Sequence, residues 1–182
     1  MRLKTLGSVV LEGSSFTRVK PLLLLSYLVL EGGKDRRYIA EFFWPTASDS
    51  LNSLSRALSQ LRKGAPEAIG ADDGRVWSDV ESDVTLFLEA LETQNYAEAT
   101  ELYTGPFLQG AYLNDWGVEL EEWVYEQRES LAARAQDAML NLAETYASQG
   151  RFSDATKLAE RAFELEGAPA PEPELLPRYY AL

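Results

Sequence analysis

The sequence predicts an α+β domain in residues 1–80 followed by an all-α domain in residues 81–182. In the first part, short strand-like segments flank three helical segments, whereas the pattern after Asp83 is helical throughout. Charge divides at the same point. Residues 1–80 carry eleven Lys or Arg and nine Asp or Glu, a net charge of +2, whereas residues 81–182 carry six and twenty, a net charge of −14. We therefore expect only the first domain to approach a polyanion.

Residue types that carry much of enzyme and metal chemistry are missing. The sequence has no Cys and no His, which removes disulfides, thiol nucleophiles, imidazole bases and zinc sites of the Cys/His kind. Four glutamates could suggest paired catalytic acids: Glu119, Glu121, Glu122 and Glu126. A charged helix face explains them better, because no metal partner or base accompanies them. We expect no enzyme activity, no cofactor and no metal.

Three features bear on where the protein resides. The N-terminus alternates in polarity and lacks the apolar core of a signal peptide, and the apolar stretch over residues 21–30 is too short to span a bilayer. The absence of Cys suits a reducing compartment. We expect a cytoplasmic protein with no membrane partner.

The first domain opens with strands and a buried helix. Residues 3–19 predict two or three short strands around a turn at Gly13. Residues 20–31 are apolar on nearly all sides, which is typical of a buried helix, and Gly32 and Gly33 are expected to end it.

Two capped helices follow. Asp35 is expected to cap a short helix over residues 36–43, and Asp49 or Ser50 is expected to cap a longer helix over residues 51–63. Leucines at helical spacing form a narrow stripe on the longer helix: Leu51, Leu54, Leu58 and Leu61. Polar side chains share the opposite face: Asn52, Ser53, Arg56, Ser59, Gln60 and Lys63. We predict that the leucines pack and that the polar face is free to recognise a partner.

A hairpin closes the first domain. It is predicted over residues 69–80, with its turn at residues 72–74 and with Val76 and Trp77 in the returning strand. The order of elements is then strands, three helices and a hairpin. That is the order of a winged helix-turn-helix, which is the fold that we predict for the first domain.

The second domain is predicted from four helical segments, over residues 84–92, 96–103, 115–149 and 153–165. Asn114 or Asp115 is expected to cap the third helix, which would be about 50 Å long at 1.5 Å per residue. Residues 168–173 form a Pro-rich spacer, and residues 174–182 could begin a helix that the chain does not complete. We therefore expect a fragment of a longer protein, truncated at its C-terminus.

Part of this domain fits the tetratricopeptide spacing. Small residues stand where two helices of that repeat must approach closely: Ala143, Ala155, Ala159 and Ala162. Residues 96–103 repeat the pattern of residues 152–159, with Ala99 equivalent to Ala155. We expect stacked tetratricopeptide-like hairpins.

With these residues in view, the chain resembles the N-terminal portion of SARP or AfsR-type bacterial activators, in which an OmpR/PhoB-like winged helix precedes a bacterial transcriptional activator domain. In the first domain the matching segments are Lys20 with residues 24–28, residues 39–45 and residues 54–62. In the second they are residues 83–84, Ala99 with residues 102–108, and Glu122 and Trp123 with Arg128 and Leu131. The order and spacing of the matches, over nearly the whole chain, make the likeness specific.

The resemblance implies a sequence-specific DNA-binding transcription regulator, an activator that recruits RNA polymerase. It implies that residues 51–63 are the recognition helix and residues 72–80 the wing. The loop that can contact RNA polymerase in OmpR-like activators would here present Trp44, Thr46, Ser48 and Asp49. Members of that family often carry more Arg on the recognition helix, whereas this sequence has Ser53 and Gln60 at positions where a basic residue would be unsurprising.

The polar face of residues 51–63 suggests specific contacts with double-stranded DNA, because a helix fits the major groove and can reach its base edges. Arg56 is the best candidate for a guanine and Asn52 for an adenine, while Ser53, Ser59 and Gln60 could reach bases or phosphates. Phosphate contacts are expected from Lys20, Arg36, Arg37, Arg62 and Lys63. Arg75 is a candidate for the minor groove, although a solvated wing tip explains it equally well.

The acidic second domain should project away from the duplex. We expect it to mediate formation of a homodimer, to receive a signal, or to regulate the winged helix through their interface. Trp116, Trp123 and Tyr125 could mark a ligand groove, but aromatic residues at helical spacing are more often core. The alternative to a regulator is a tetratricopeptide-like interaction scaffold whose winged helix does not bind DNA. The net charge of +2 on residues 1–80 is compatible with both the regulator and the scaffold.

Overall fold

A computed structural model describes residues 1–112 and 116–168, and within them the chain is a mixed α/β protein. The helices are α1 (Val19–Glu31), α2 (Arg36–Phe43), α3 (Ser50–Gly64), α4 (Asp83–Glu92), α5 (Tyr96–Leu102), α6 (Val118–Ser148) and α7 (Phe152–Phe163). The strands are β1 (Arg2–Lys4), β2 (Val10–Glu12), β3 (Lys34–Asp35), β4 (Gly70–Ala71), β5 (Arg75–Trp77) and β6 (Glu81–Ser82). The predicted cap at Asn114 or Asp115, and the tail after residue 168, lie outside the described residues.

Local sequence signals place the first three helices. Eight consecutive residues of α1, from Pro21 to Leu28, are buried, which confirms the predicted buried helix. The Asp35 carboxylate accepts hydrogen bonds from the amides of Arg37 and Tyr38, at 2.8 and 3.1 Å, and so caps α2. Asp49 caps α3 by accepting from the amide of Asn52 at 2.9 Å. Of the two predicted caps for α3, the aspartate is the one used.

Two small sheets flank these helices. In the first, β1 lies between β2, to which it is antiparallel, and β6, to which it is parallel. In the second, β5 lies between β3 and β4 and is antiparallel to both. The pair β4 and β5 is the predicted hairpin. Strand β3, between α1 and α2, was not predicted, because two residues are too few to give a periodic signal.

Contacts cross the boundary predicted at residue 80. Strand β6 lies beyond that boundary, yet it pairs with β1 through Leu3 and Ser82. Leu6 forms a β-bridge with Phe107, and one continuous apolar core includes Leu3 and residues as distant as Ala162. The two halves therefore share a core, and the division into two domains stays a prediction.

The second half is built around α6, whose 31 residues span about 46 Å at 1.5 Å per residue. The C-terminal part of α6 packs against α7 through small buried residues: Ala135, Ala138, Ala155, Ala159 and Ala162. The buried Gln136 donates from Nε2 to the carbonyl oxygen of Ala162 at 2.9 Å. Close helix packing was predicted from Ala143, Ala155, Ala159 and Ala162, and all four are buried.

Within residues 1–112 and 116–168, no helix combines the length and the apolar character that crossing a bilayer requires.

Candidate nucleic-acid interface

Helix α3 is held by one apolar face. Leu54, Ala57, Leu58 and Leu61 are buried there. Leu51 was expected on this face, but its side chain is 42% exposed, and Ala57 completes the stripe instead. At 3.6 residues per turn, Leu51 lies about 70° from the middle of the buried face, at the edge of the stripe. The helix therefore packs through a slightly rotated face.

The opposite face of α3 is open to solvent. Asn52, Arg56, Ser59 and Lys63 are exposed on it. Ser53 and Gln60 are half-buried at its margin, and the Ser53 hydroxyl donates to the carbonyl oxygen of Asp49 at 3.1 Å. Four of the six residues predicted for the polar face are therefore exposed on it, whereas Ser53 and Gln60 lie at its edge.

Ser55 belongs to the same exposed face and was missed. Its hydroxyl donates to the carbonyl oxygen of Leu51 at 2.8 Å and lies 3.5 Å from a guanidinium nitrogen of Arg36. The sequence could have predicted its position, because Ser55 is four residues before Ser59 and residues at that spacing share one face of a helix.

Three of the predicted phosphate-binding or groove-binding arginines bind the backbone around the hairpin. The guanidinium of Arg36 donates to the carbonyl oxygen of Asp72, and that of Arg62 donates to the carbonyl oxygen of Ala71, each at 3.1 Å. Arg75 donates to the carbonyl oxygen of Gly33 at 2.9 Å. A guanidinium has five N–H donors, so each of these side chains keeps donors for another partner. We name Arg36, Arg62 and Arg75 the arginine clamp.

The hairpin turn is acidic. The Asp72 carboxylate accepts from the amides of Gly74 and Arg75, at 2.9 and 2.6 Å. The hydrogen bonds from Arg75 and then Gly74 lower the pKa of Asp72, so it stays charged to a lower pH than an ordinary aspartate does. Asp73 beside it is exposed. Two carboxylates at the tip repel phosphate, and the Arg75 guanidinium reaches back to Gly33 instead of extending past them.

The remaining predicted cations divide into two groups. The side chains of Arg37, Arg56 and Lys63 are exposed and make no hydrogen bond or ion pair within the described part of the chain. Arg36 and Arg37 line a depression with Leu51 and the turn residues Asp73 and Gly74, which places them beside the start of α3. Lys20 is not part of this group.

Lys20 packs against the loop between α2 and α3. Its ammonium lies 5.1 Å from the centre of the Trp44 ring, and burial lowers the pKa of this lysine. In the same loop, Thr46 and Ser48 are exposed, whereas Asp49 is engaged as the cap of α3. Trp44 is half-buried against Phe43. Of the four residues predicted to contact polymerase, Thr46 and Ser48 are the free ones.

Of the three aromatic residues considered for a ligand groove, Trp116 and Trp123 lie in or against the core. Trp116 is buried. Trp123 packs against Tyr27 and Phe107, with ring centres 4.8 and 5.9 Å apart, and donates from Nε1 to Glu31 at 3.0 Å. For Tyr125 the core prediction was wrong. It is 58% exposed because it faces solvent on α6, where the guanidinium of Arg128 lies 5.7 Å from its ring centre.

The glutamates of α6 agree with a charged helix face. Glu119, Glu122 and Glu126 are exposed and Glu121 is half-buried. Among the described residues, no group of acidic side chains is arranged to hold a metal ion.

The chain matches no family model and no curated protein. The interpretation of the interface therefore rests on its own geometry, and the resemblance described above stays a hypothesis.

Proposed function

We propose that this chain is a sequence-specific DNA-binding transcription regulator, with residues 1–80 as an OmpR/PhoB-like winged helix and α3 as its recognition helix. One observation carries the proposal. Helix α3 is anchored in the core by four buried apolar residues, while its opposite face presents Asn52, Arg56, Ser59 and Lys63 to solvent. A helix anchored on one side and polar on the other has the shape and chemistry needed in the major groove.

In this proposal Arg56 reads a guanine, because it is exposed, central on the face and unpartnered among the described residues. Asn52, one turn earlier, can pair with an adenine. Lys63 in the last turn and Arg37 at the start of α2 bind phosphates on either side.

The hairpin supports the recognition helix in this scheme. Its acidic turn disfavours insertion into the minor groove, and the arginine clamp ties the hairpin to α2, to α3 and to the residue before β3. We therefore assign Arg36, Arg62 and Arg75 mainly to positioning the hairpin, with phosphate contact as their second role.

We further propose activation through RNA polymerase, with Thr46 and Ser48 exposed for that contact. The net charge of −14 on residues 81–182 keeps that half away from phosphate and leaves it available for a protein partner or a second copy of the chain.

The test is selection of bound sites from random DNA by the purified protein, followed by anisotropy titration of the selected duplex. We expect a preferred sequence, and a loss of about tenfold to a hundredfold in affinity in Arg56→Ala, since a bidentate base contact contributes about 1–3 kcal/mol. Arg134→Ala, an exposed arginine on α6, is the matched control and should bind as the parent does. Failure to enrich any sequence would contradict the proposal.

A tetratricopeptide-like scaffold without DNA binding is the second candidate. The acidic turn favours it because its carboxylates repel phosphate, and the arginine clamp favours it because some of its N–H donors already bind backbone carbonyls. Absence of binding to any duplex at low salt would select this candidate.

A further inference from the structure

A groove of about 550 Å³ lies between α2, the loop that follows it and the start of α6. Its lining residues are Tyr38, Glu41, Phe42, Trp44, Pro45, Ala47, Ser50, Gly117, Val118 and Glu119. Asn52, Arg56, Ser59 and Lys63 are not among them, so the groove is distinct from the proposed DNA-binding face.

One wall of the groove is aromatic. Tyr38 and Phe42 stack on α2 with ring centres 5.7 Å apart and planes 12° from parallel, and Trp44 continues this wall. Val118 on the opposite wall is 70% exposed, and Tyr38 is 47% exposed. Large apolar groups facing each other in water favour burial by an apolar side chain.

The charges at the groove are negative. Glu41 on α2 and Glu119 on α6 are both exposed. Within the described part of the chain, no Lys or Arg lines the groove. Lys20 lies against Trp44 but does not line the groove. Carboxylates beside aromatic rings favour an ammonium or a guanidinium, through ion pairing and cation–π contact.

Both walls are fixed to each other. Gly117 approaches Pro45 so closely that a Cβ atom on Gly117 would lie 2.7 Å from the Pro45 Cγ. Trp123, further along α6, is bound to Tyr27 and Glu31 of α1. The groove is therefore formed before anything binds, which lowers the entropic cost of binding.

We propose that this groove docks a basic segment of a partner protein, in which Lys or Arg residues flank one large apolar side chain. The apolar side chain packs between the aromatic wall and Val118, and the cations pair with Glu41 and Glu119. This inference goes beyond DNA binding and does not depend on it.

The test is selection from a displayed random peptide library on the intact protein. We expect the enriched peptides to carry two or more Lys or Arg around one large apolar residue. A synthetic copy of an enriched peptide should bind at least about tenfold more weakly to a Glu41→Lys, Glu119→Lys double variant. The same peptide with its Lys and Arg residues changed to Glu should bind the double variant more tightly than the parent protein.

Two further variants control for folding and for general charge. Glu92→Lys with Glu160→Lys changes the net charge equally at exposed positions outside the groove and should leave peptide affinity unchanged. Val118→Ser keeps every charge and should weaken binding severalfold, with the helical circular dichroism retained.

Three outcomes would overturn the proposal: no enrichment, enriched peptides that are not basic, or binding that survives reversal of both glutamates. Self-association of the protein that is lost in the double variant would assign the groove to a second copy and would also contradict it. DNA affinity of the same variants is measured separately, so failure of this inference is distinguishable from failure of the proposed function.

Discussion

The Asp83 carboxylate accepts hydrogen bonds from both the amide and the hydroxyl of Thr5. The Thr5 amide lies 2.8 Å and its hydroxyl 2.7 Å from Oδ1 of Asp83. Oδ2 accepts from the Leu6 amide at 3.0 Å. Thr5 and Asp83 are both buried. One side chain in the first turn of α4 therefore satisfies the donors that follow β1, and it joins the first half of the chain to the second.

Removing the Asp83 carboxylate should destabilise the whole fold. We expect Asp83→Ala to lower the free energy of unfolding by about 2–4 kcal/mol, because it leaves buried donors of Thr5 and Leu6 unpaired. The measurement is urea denaturation followed by circular dichroism. Asp79→Ala, an exposed aspartate nearby in sequence, should change the free energy by less than about 0.5 kcal/mol. A loss as small as this for Asp83→Ala would contradict the account.

Gly117 should tolerate no side chain. Its φ of +95° disfavours one, and a Cβ would meet Pro45 at 2.7 Å. We expect Gly117→Ala to cost about 2–4 kcal/mol, the sum of backbone strain and displaced packing. Gly110→Ala isolates the strain, since Gly110 has φ +80° and open space around its Cβ position, and it should cost only about 1 kcal/mol. Equal losses of stability in both variants would contradict the predicted clash and would show that Pro45 moves aside without cost.

Lysine substitutions in the arginine clamp test whether its hydrogen bonds hold the hairpin in place, independently of its positive charge. Arg36→Lys, Arg62→Lys and Arg75→Lys keep the positive charge but lose the planar donor that reaches each carbonyl. We expect faster amide hydrogen exchange over residues 70–77 in each variant, without change in α6. Unaltered exchange in the hairpin would mean that the arginines do not hold it.

Alkaline pH should weaken the fold through Tyr103. Burial, and then the charge of Glu166, raises the pKa of Tyr103 to about 12. Because the unfolded tyrosine loses its proton near pH 10, the stabilisation present below pH 10 is lost progressively between about pH 10 and pH 12, by roughly 2 kcal/mol at most. Tyr103→Phe removes this titration and also an unpartnered buried hydroxyl. We expect its stability to fall less over that interval; parallel falls for parent and variant would refute the assignment.

Local signals predicted the helices well. Asp35 and Asp49 cap the helices that they precede, because an aspartate before a helical stretch accepts from the first free amides whatever the rest of the fold does. The inward positions Leu54, Leu58 and Leu61 follow from helical period alone.

What the sequence did not predict depends on residues far apart in the chain. Thr5 and Asp83 are 78 positions apart, and Arg75 is 42 positions from Gly33. Arginine is equally compatible with phosphate and with a backbone carbonyl, so its residue type does not reveal which one it binds. The groove at Glu41 and Glu119 likewise exists only because α6 approaches the loop after α2.

We propose above all that Arg56, on the open face of α3, reads a base. The most direct measurement is binding of the parent and of Arg56→Ala to every single-base-pair variant of the selected site. We expect the variant to lose discrimination at one guanine position and to keep it elsewhere. An identical specificity profile for both proteins would contradict it.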